Sequence, residues 1–281
     1  MNEGHTFEHD TFTFEYWKDF RNYIFTELDD PLKRFGEVYR GHSNENWPLQ
    51  PSIHRIRAND DIKFINSMAF IQELNDIKEL KQSIHLFNKD FINFDHSSSN
   101  IDLLSLLQHH GAATRLLDFT ASPFIASFFA LTDPNKKDDY CCVWSISLKI
   151  IDEINKKLLE IIDPNPFQIL YDLYCKDILD EHKTKDIIGY SFLERPSIRP
   201  FQQKSGFLFS LSRDNNIEKL IPQYNSFNSK LLTKYKIRVN KENIQSAFRD
   251  FTKMNISFAN LFPGFDGYCK DILMRQYAEW Y

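Results

Sequence analysis

None of the usual nucleotide or nucleophile signatures occurs in the 281 residues: there is no GxGxxG, no GxxxxGK[ST] and no GxSxG. A dinucleotide-binding βαβ unit, a P-loop and a nucleophile elbow are thereby excluded. Neither HExxH nor any Cys/His ligand spacing is present, so a metal site is not expected. The four cysteines (Cys141, Cys142, Cys175, Cys269) show no CxxC, and adjacent residues such as Cys141 and Cys142 seldom bridge. Reduced thiols buried on a strand, in a cytoplasmic protein, are the simplest expectation. The opening "MNEGHTFEHD" lacks a basic segment followed by an apolar one, so no secretory signal is expected. The longest apolar run, "FIASFFAL", falls far short of the roughly 20 residues of a membrane-spanning helix. Basic charge is not in surplus either. Against 39 Asp and Glu stand 34 Lys and Arg, net −5, which argues against a protein that mainly coats a phosphate backbone. No internal repeat and no Gly/Ser linker interrupts the chain, which favours one domain over residues 1–281.

What is abundant is apolar surface. Hydrophobic residues make up 42% and aromatics 15%, with 26 Phe, enough for a packed, Phe-rich core. Phe14, Trp17, Phe20, Tyr23 and Ile24 recur at helical spacing and predict an N-terminal helix over 12–28. "EVYRG" reads as a strand that stops at Gly41. Periodicity from Phe64 to Phe91 predicts a helical insert over about 60–98, as a lid or a structural piece. A helix from Leu103 to His110 should stop at Gly111. Ser122-Pro123 signals a helix start, with Ser capping and Pro at the first position, where its missing N–H is harmless. "YCCVWSISL", "DIIGYSFL", "GFLFSLS" and "KYKIRVN" predict strands. Asn240 then caps a helix carrying Ile244, Phe248, Phe251 and Met254, and a turn and closing helix end the chain.

Three segments carry the chemistry. In "VYRGHSNENWPLQPSIHR", Arg40 at a strand end beside Gly41 offers a rigid guanidinium where a backbone can approach an anion. A structural Arg tying down a loop fits the same pattern equally well. In "HHGAATRLLDFTASPFIASFFAL", Thr120 and Ser122 precede a helix N-terminus, an arrangement suited to phosphate or ribose. Ser122 as a plain cap is the bland alternative. Arg115 and Asp118 lie three residues apart, so each needs a partner elsewhere, and a buried structural ion pair is the sober reading for them. Gln108, His109 and His110 close the preceding helix. In "RPSIRPFQQKSGFLFS", Gln202 or Gln203 points from a strand edge into a cleft. As neighbours only one of them can.

Taken in order, "YRGHS", "WPLQPSIHR", "LLQHHGAATRLLDFTASPFIASFFA", "RPFQQKSGF" and "LFPGFDG" resemble the FRG domain family, with Tyr39-Arg40-Gly41 standing at its aromatic-Arg-Gly tripeptide. The likeness runs from about residue 35 to about 275. A looser similarity is to ADP-ribosyltransferases, whose order is a strand-borne Arg, a Ser/Thr element and a Glu ahead of a Gly-aromatic strand. This second resemblance implies an α+β fold with a split antiparallel or mixed sheet, flanking helices and a helical insert. It implies NAD as substrate, with Arg40 and Gly41 at the pyrophosphate, Thr120 and Ser122 at the ribose, and Arg115 and His109 nearby. Gln203 stands where the Glu is expected, and a Gln cannot offset developing positive charge. Asp118, Glu160 or Glu194 must then supply the charge, and Asp118 is preferred. The FRG resemblance further implies an effector of toxin-antitoxin or anti-phage type, with a nucleic-acid or protein acceptor and a neutralising antitoxin partner. The alternatives are a nucleotide or nucleic-acid binding module without turnover, and a nuclease-like hydrolase using His109 or His110.

Overall fold

The computed structural model describes residues 10–29, 36–55, 62–87, 98–133, 139–159, 188–192, 201–210, 217 and 231–280. Its elements in chain order are β1 (Asp10–Phe14), α1 (Trp17–Asp29), β2 (Glu37–His42), α2 (Ser52–Arg55), α3 (Ile62–Ser83) running into a 3-10 turn (Ile84–Phe87), and α4 (Asn100–His109). There follow β3 (Leu117–Thr120), α5 (Pro123–Leu131), β4 (Tyr140–Ser147), α6 (Leu148–Leu159), β5 (Ile188–Phe192) and β6 (Ser205–Ser210). β7 (Leu232–Arg238), α7 (Lys241–Lys253), α8 (Phe258–Leu261) and α9 (Phe265–Trp280) complete it.

The described strands form one open sheet in the order β1-β7-β4-β2-β3-β6-β5. Only β1 against β7 is parallel, and the other pairs are antiparallel, so the α+β expectation holds. The sheet is continuous rather than split, which corrects the expected architecture. Yet it comes close to splitting at one place. β2 pairs with β4 through six residue pairs, from Glu37↔Ser147 to His42↔Cys142, but with β3 only at Tyr39↔Thr120. Beyond that point the two strands diverge.

A second correction concerns the N-terminus. The expected helix over 12–28 begins at Trp17, and Phe12 and Phe14 belong to β1, where they face Tyr235 and Ile237 of β7. The spacing of three between Phe14 and Trp17 mimics a helix. The strand-to-strand ladder outweighs it. The strand and capping expectations fare well: Ser122 accepts from the Ile125 N–H with Pro123 at the first helical turn, and Asn240 accepts from the Asn243 N–H. Gly111 at φ 95° ends α4 in a backbone conformation that L side chains rarely adopt.

Alternation along the strands gives the sheet two apolar faces. One is packed by Leu49, Trp144, Ile151, Tyr190 and Leu208. The other carries two clusters side by side. The first joins α1, α5, α7 and α8 through Trp17, Phe20, Phe128, Phe251 and Leu261. The second joins α3 and α4 to β6 through Ile77, Leu104, Phe207 and Phe209. The C-terminal half of α3 is therefore part of the packed fold. The gap between β2 and β3 lies between those two clusters.

Cys141 and Cys142 are buried on β4, as expected, while Cys269 is exposed on α9 and Cys175 lies outside the described residues. Among the described residues, no helix is long and apolar enough to cross a membrane, and no cluster of His, Cys, Asp and Glu could hold a metal ion.

Candidate functional site

A cavity of about 310 Å³ opens over the β2/β3 gap, at the low end of the size of small-ligand pockets. Arg40 and Gly41 from β2, Asp118 and Thr120 from β3, and Gln108 and His109 from the end of α4 line it. Phe129, Phe207 and Phe262 provide aromatic walls, and Gln203 and Ser205 close the far side. Gln108 and His109 leave α4 in its last turn because Gly111 stops the helix there.

Arg40 shares a strand face with His42, two residues along β2, whereas Asp118 and Thr120 project from the opposite side of the sheet. The guanidinium reaches Asp118 through the gap. Its Nη1 donates to the Asp118 carbonyl oxygen at 2.7 Å and lies 3.9 Å from the Asp118 carboxylate. Its Nε donates to His42 Nε2 at 3.0 Å, and His42 Nδ1 is 3.2 Å from the Trp47 carbonyl oxygen. A carbonyl only accepts and the Arg Nε only donates, so the imidazole is neutral with its proton on Nδ1. Burial, reinforced by the Arg40 charge, pushes the His42 pKa down to about 3. Arg40 is thus aimed by a neutral acceptor. Burial also draws its own pKa down, opposed by the Asp118 charge, but a guanidinium stays cationic throughout. Sequence reasoning missed His42, although "RGH" puts it on the same strand face as Arg40.

Gly41 has a different task from the one expected. A Cβ there would lie 1.9 Å from the Ala126 carbonyl oxygen, so the missing side chain lets α5 lie directly on β2. The close approach is to the protein's own helix, which in turn shapes the cavity floor.

Asp118 is the charged acceptor of the site. Its side chain is 57% exposed on the wall, and Gln108 Nε2 donates to both carboxylate oxygens at 2.9 Å. Gln108 was likewise missed as a functional residue. The buried Tyr39 phenol is pushed upward in pKa by desolvation, so it is no general base.

Several expected ligands do other work. The Thr120 hydroxyl donates to the Gln203 carbonyl oxygen at 2.7 Å and accepts from the Ser122 N–H at 3.1 Å, so it pins a turn rather than presenting itself to a ribose. Ser122 caps α5 and is not among the residues lining the cavity, so its bland reading is the correct one. Arg115 is 1% exposed and lies away from the cavity. Its backbone N–H and Nε both donate to the Glu73 carboxylate, making it the buried structural pair. Gln203 faces the cavity and Gln202 is exposed away from it, but the Gln203 amide donates to the Leu261 carbonyl oxygen at 3.0 Å and ties the turn to α8. His109 lines the cavity and stacks edge-on to His110, 4.9 Å between ring centroids. Glu160 and Glu194 lie outside the described residues.

Residues 36–139 match the family model of the FRG domain. No match was found among curated proteins, and none among solved structures. The matched stretch supplies Arg40, Gly41, Gln108, His109, Asp118, Thr120 and Phe129, while Gln203, Ser205, Phe207 and Phe262 come from beyond it.

Proposed function

We propose that the cavity takes the nicotinamide-ribose end of an NAD-type dinucleotide and that the protein transfers ADP-ribose to a macromolecular acceptor. A cation for phosphate oxygens, a carboxylate for the sugar and aromatic walls for a planar ring meet in one hollow. Arg40 binds the pyrophosphate as a preaimed fork. Asp118 faces the ribose, where a carboxylate offsets the positive charge that develops as the sugar becomes oxocarbenium-like. The bond from ribose C1′ to the nicotinamide nitrogen breaks with its electron pair leaving on nicotinamide. The acceptor's lone pair then forms the new C1′ bond, and its proton passes to His109 or to water.

The observation that carries this reading is the placement of the Asp118 carboxylate on the wall 3.9 Å from Arg40, close enough to share one ligand. Asp118 thereby fills the role for which position 203 has only an amide. On this reading the protein is a cytoplasmic effector of toxin or anti-phage type, with a nucleic acid or protein as acceptor and a neutralising partner protein. A second reading, nucleotide binding without turnover, is favoured by the bond from Gln203 to Leu261, which leaves that side chain a structural duty.

Nicotinamide release from NAD separates the two readings. The transferase reading expects release by the wild type, loss of 100-fold or more in Asp118→Asn, on the order of one lost electrostatic contact in a transition state, and retained NAD binding in that variant. Equal background release by wild type and Asp118→Asn, with NAD bound, selects the binding module.

A further inference from the structure

The end of α4 and the loop after it carry a hydrogen-bond relay that the reading above does not use. The Leu116 N–H donates to Thr114 Oγ1 at 3.2 Å, so that oxygen accepts from the backbone and has its proton left to give. It gives it to Gln108 Oε1. The amide orientation of Gln108 is thereby fixed, with its oxygen toward Thr114 and its NH2 toward β3, where Nε2 donates to both oxygens of Asp118 at 2.9 Å. Thr114 is itself buried and held by a reciprocal pair with Ser52: its N–H donates to Ser52 Oγ at 3.1 Å, and Ser52 Oγ donates to the Thr114 carbonyl oxygen at 3.2 Å. Everything upstream of the carboxylate is anchored to backbone.

We propose that Gln108 is a positioning residue, locked by Thr114 so that its amide turns the Asp118 carboxylate into the cavity. The choice of donor matters. A Lys or Arg at 108 would orient the carboxylate equally well but cancel its charge. A neutral amide stabilises the anion by hydrogen bonding and leaves the charge available to a cationic centre. Arg40 offsets that charge only in part, since its short bond is to the Asp118 carbonyl oxygen and its distance to the carboxylate is the longer one. The meaning of this for turnover rests on the transferase reading, whereas the coupling of Gln108 to Asp118 does not.

The test uses the full-length protein with Gln108→Met, which keeps the length and removes the donors, and Thr114→Val with Thr114→Ser as its conservative counterpart. If Gln108 positions Asp118, Gln108→Met lowers kcat for nicotinamide release about 10- to 100-fold, as expected for losing bonds to a charged group, with KM for NAD nearly unchanged. The acid limb of its pH–rate profile moves to higher pH. Thr114→Val moves the same way by less, and Thr114→Ser recovers most of that loss. Thermal melts establish that each variant is folded, and Thr114→Ser against Thr114→Val keeps the comparison informative if Gln108→Met is not. Unchanged kcat and pH profile in Gln108→Met, or no difference between Thr114→Ser and Thr114→Val, overturns the proposal. Should the wild type release no nicotinamide, the transferase reading fails and a second readout decides this proposal alone: carboxyl titration of Asp118 followed by NMR in carbon-13 labelled protein. A midpoint at higher pH in Gln108→Met than in wild type supports the relay, and identical titrations overturn it.

Discussion

The Nε of Arg40 donates to the bare Nε2 of His42 at 3.0 Å, and that bond has a chemical consequence for both residues. It needs a neutral imidazole, which burial and the neighbouring guanidinium enforce, and it fixes the plane of the guanidinium that crosses the gap between β2 and β3. A carboxylate in the place of His42 would aim the fork as well but would neutralise it. The imidazole adds no second negative charge beside Arg40, which already faces the Asp118 carboxylate at 3.9 Å.

A pH dependence of stability follows from His42. Unfolded, an imidazole titrates near 6.5, and in the folded protein His42 titrates near 3. Between those values the unfolded chain holds more proton, so the contribution is complete above about pH 6.5 and is lost as pH falls, at up to about 1.4 kcal/mol per pH unit. Denaturant melts from pH 7 to pH 4 should show this slope. In His42→Gln it should shrink by the part this side chain contributes, and a slope unchanged by that substitution would contradict the assignment.

Arg40→Lys should behave nearly as badly as Arg40→Ala. A lysine lacks the Nε donor that His42 accepts and the flat fork that reaches Asp118, so its charge would be mobile. Calorimetric titration with NAD is expected to show affinity about 10- to 100-fold weaker in both variants, the worth of lost charge-assisted bonds. Wild-type affinity in Arg40→Lys would show that only charge matters there.

Gly41→Ala tests the contact between β2 and α5. With the added carbon 1.9 Å from the Ala126 carbonyl oxygen, backbone must move, and overpacking against backbone belongs at the upper end of the usual cost, about 3 kcal/mol. Tm should fall by roughly 6–12 °C for a protein of this size, and nucleotide binding should weaken with it because α5 carries Phe129 into the cavity. A melt within a degree of wild type would remove the reason given for the glycine.

Arg115 and Glu73 offer a control at a distance from the site. Removing one partner of a buried pair strands the other charge, so Arg115→Met is expected to cost about 3–5 kcal/mol. Arg115→Met combined with Glu73→Leu should recover much of that, measured by urea melts, and should bind NAD as the wild type does. Loss of binding in the stable double variant would return Arg115 to the site.

Much of the fold is legible in local sequence because local physics decides it. The Ser122-Pro123 start of α5 and the Asn240 cap depend on neighbours within a few residues, and the strands at 140–147 and 205–210 show in their local apolar runs. Phe14 is misread because its spacing to Trp17 suits a helix, while its true partner, Ile237, is more than two hundred residues away. The site is legible by region and not by role. Arg40, Asp118 and His109 do line one cavity. The hydroxyls of Thr120 and Ser122 look like ligand groups until the backbone groups that occupy them are seen. His42 and Gln108 acquire their significance only through Trp47, Thr114 and the gap in the sheet, and no spacing rule announces such partners.

The most direct test is a crystal structure with a non-hydrolysable NAD analogue. The pyrophosphate is expected on the Arg40 guanidinium, the nicotinamide-side ribose within hydrogen-bonding distance of the Asp118 carboxylate, and the ring against Phe129, Phe207 or Phe262. An analogue bound elsewhere, or a cavity that stays empty at millimolar analogue, would contradict that placement.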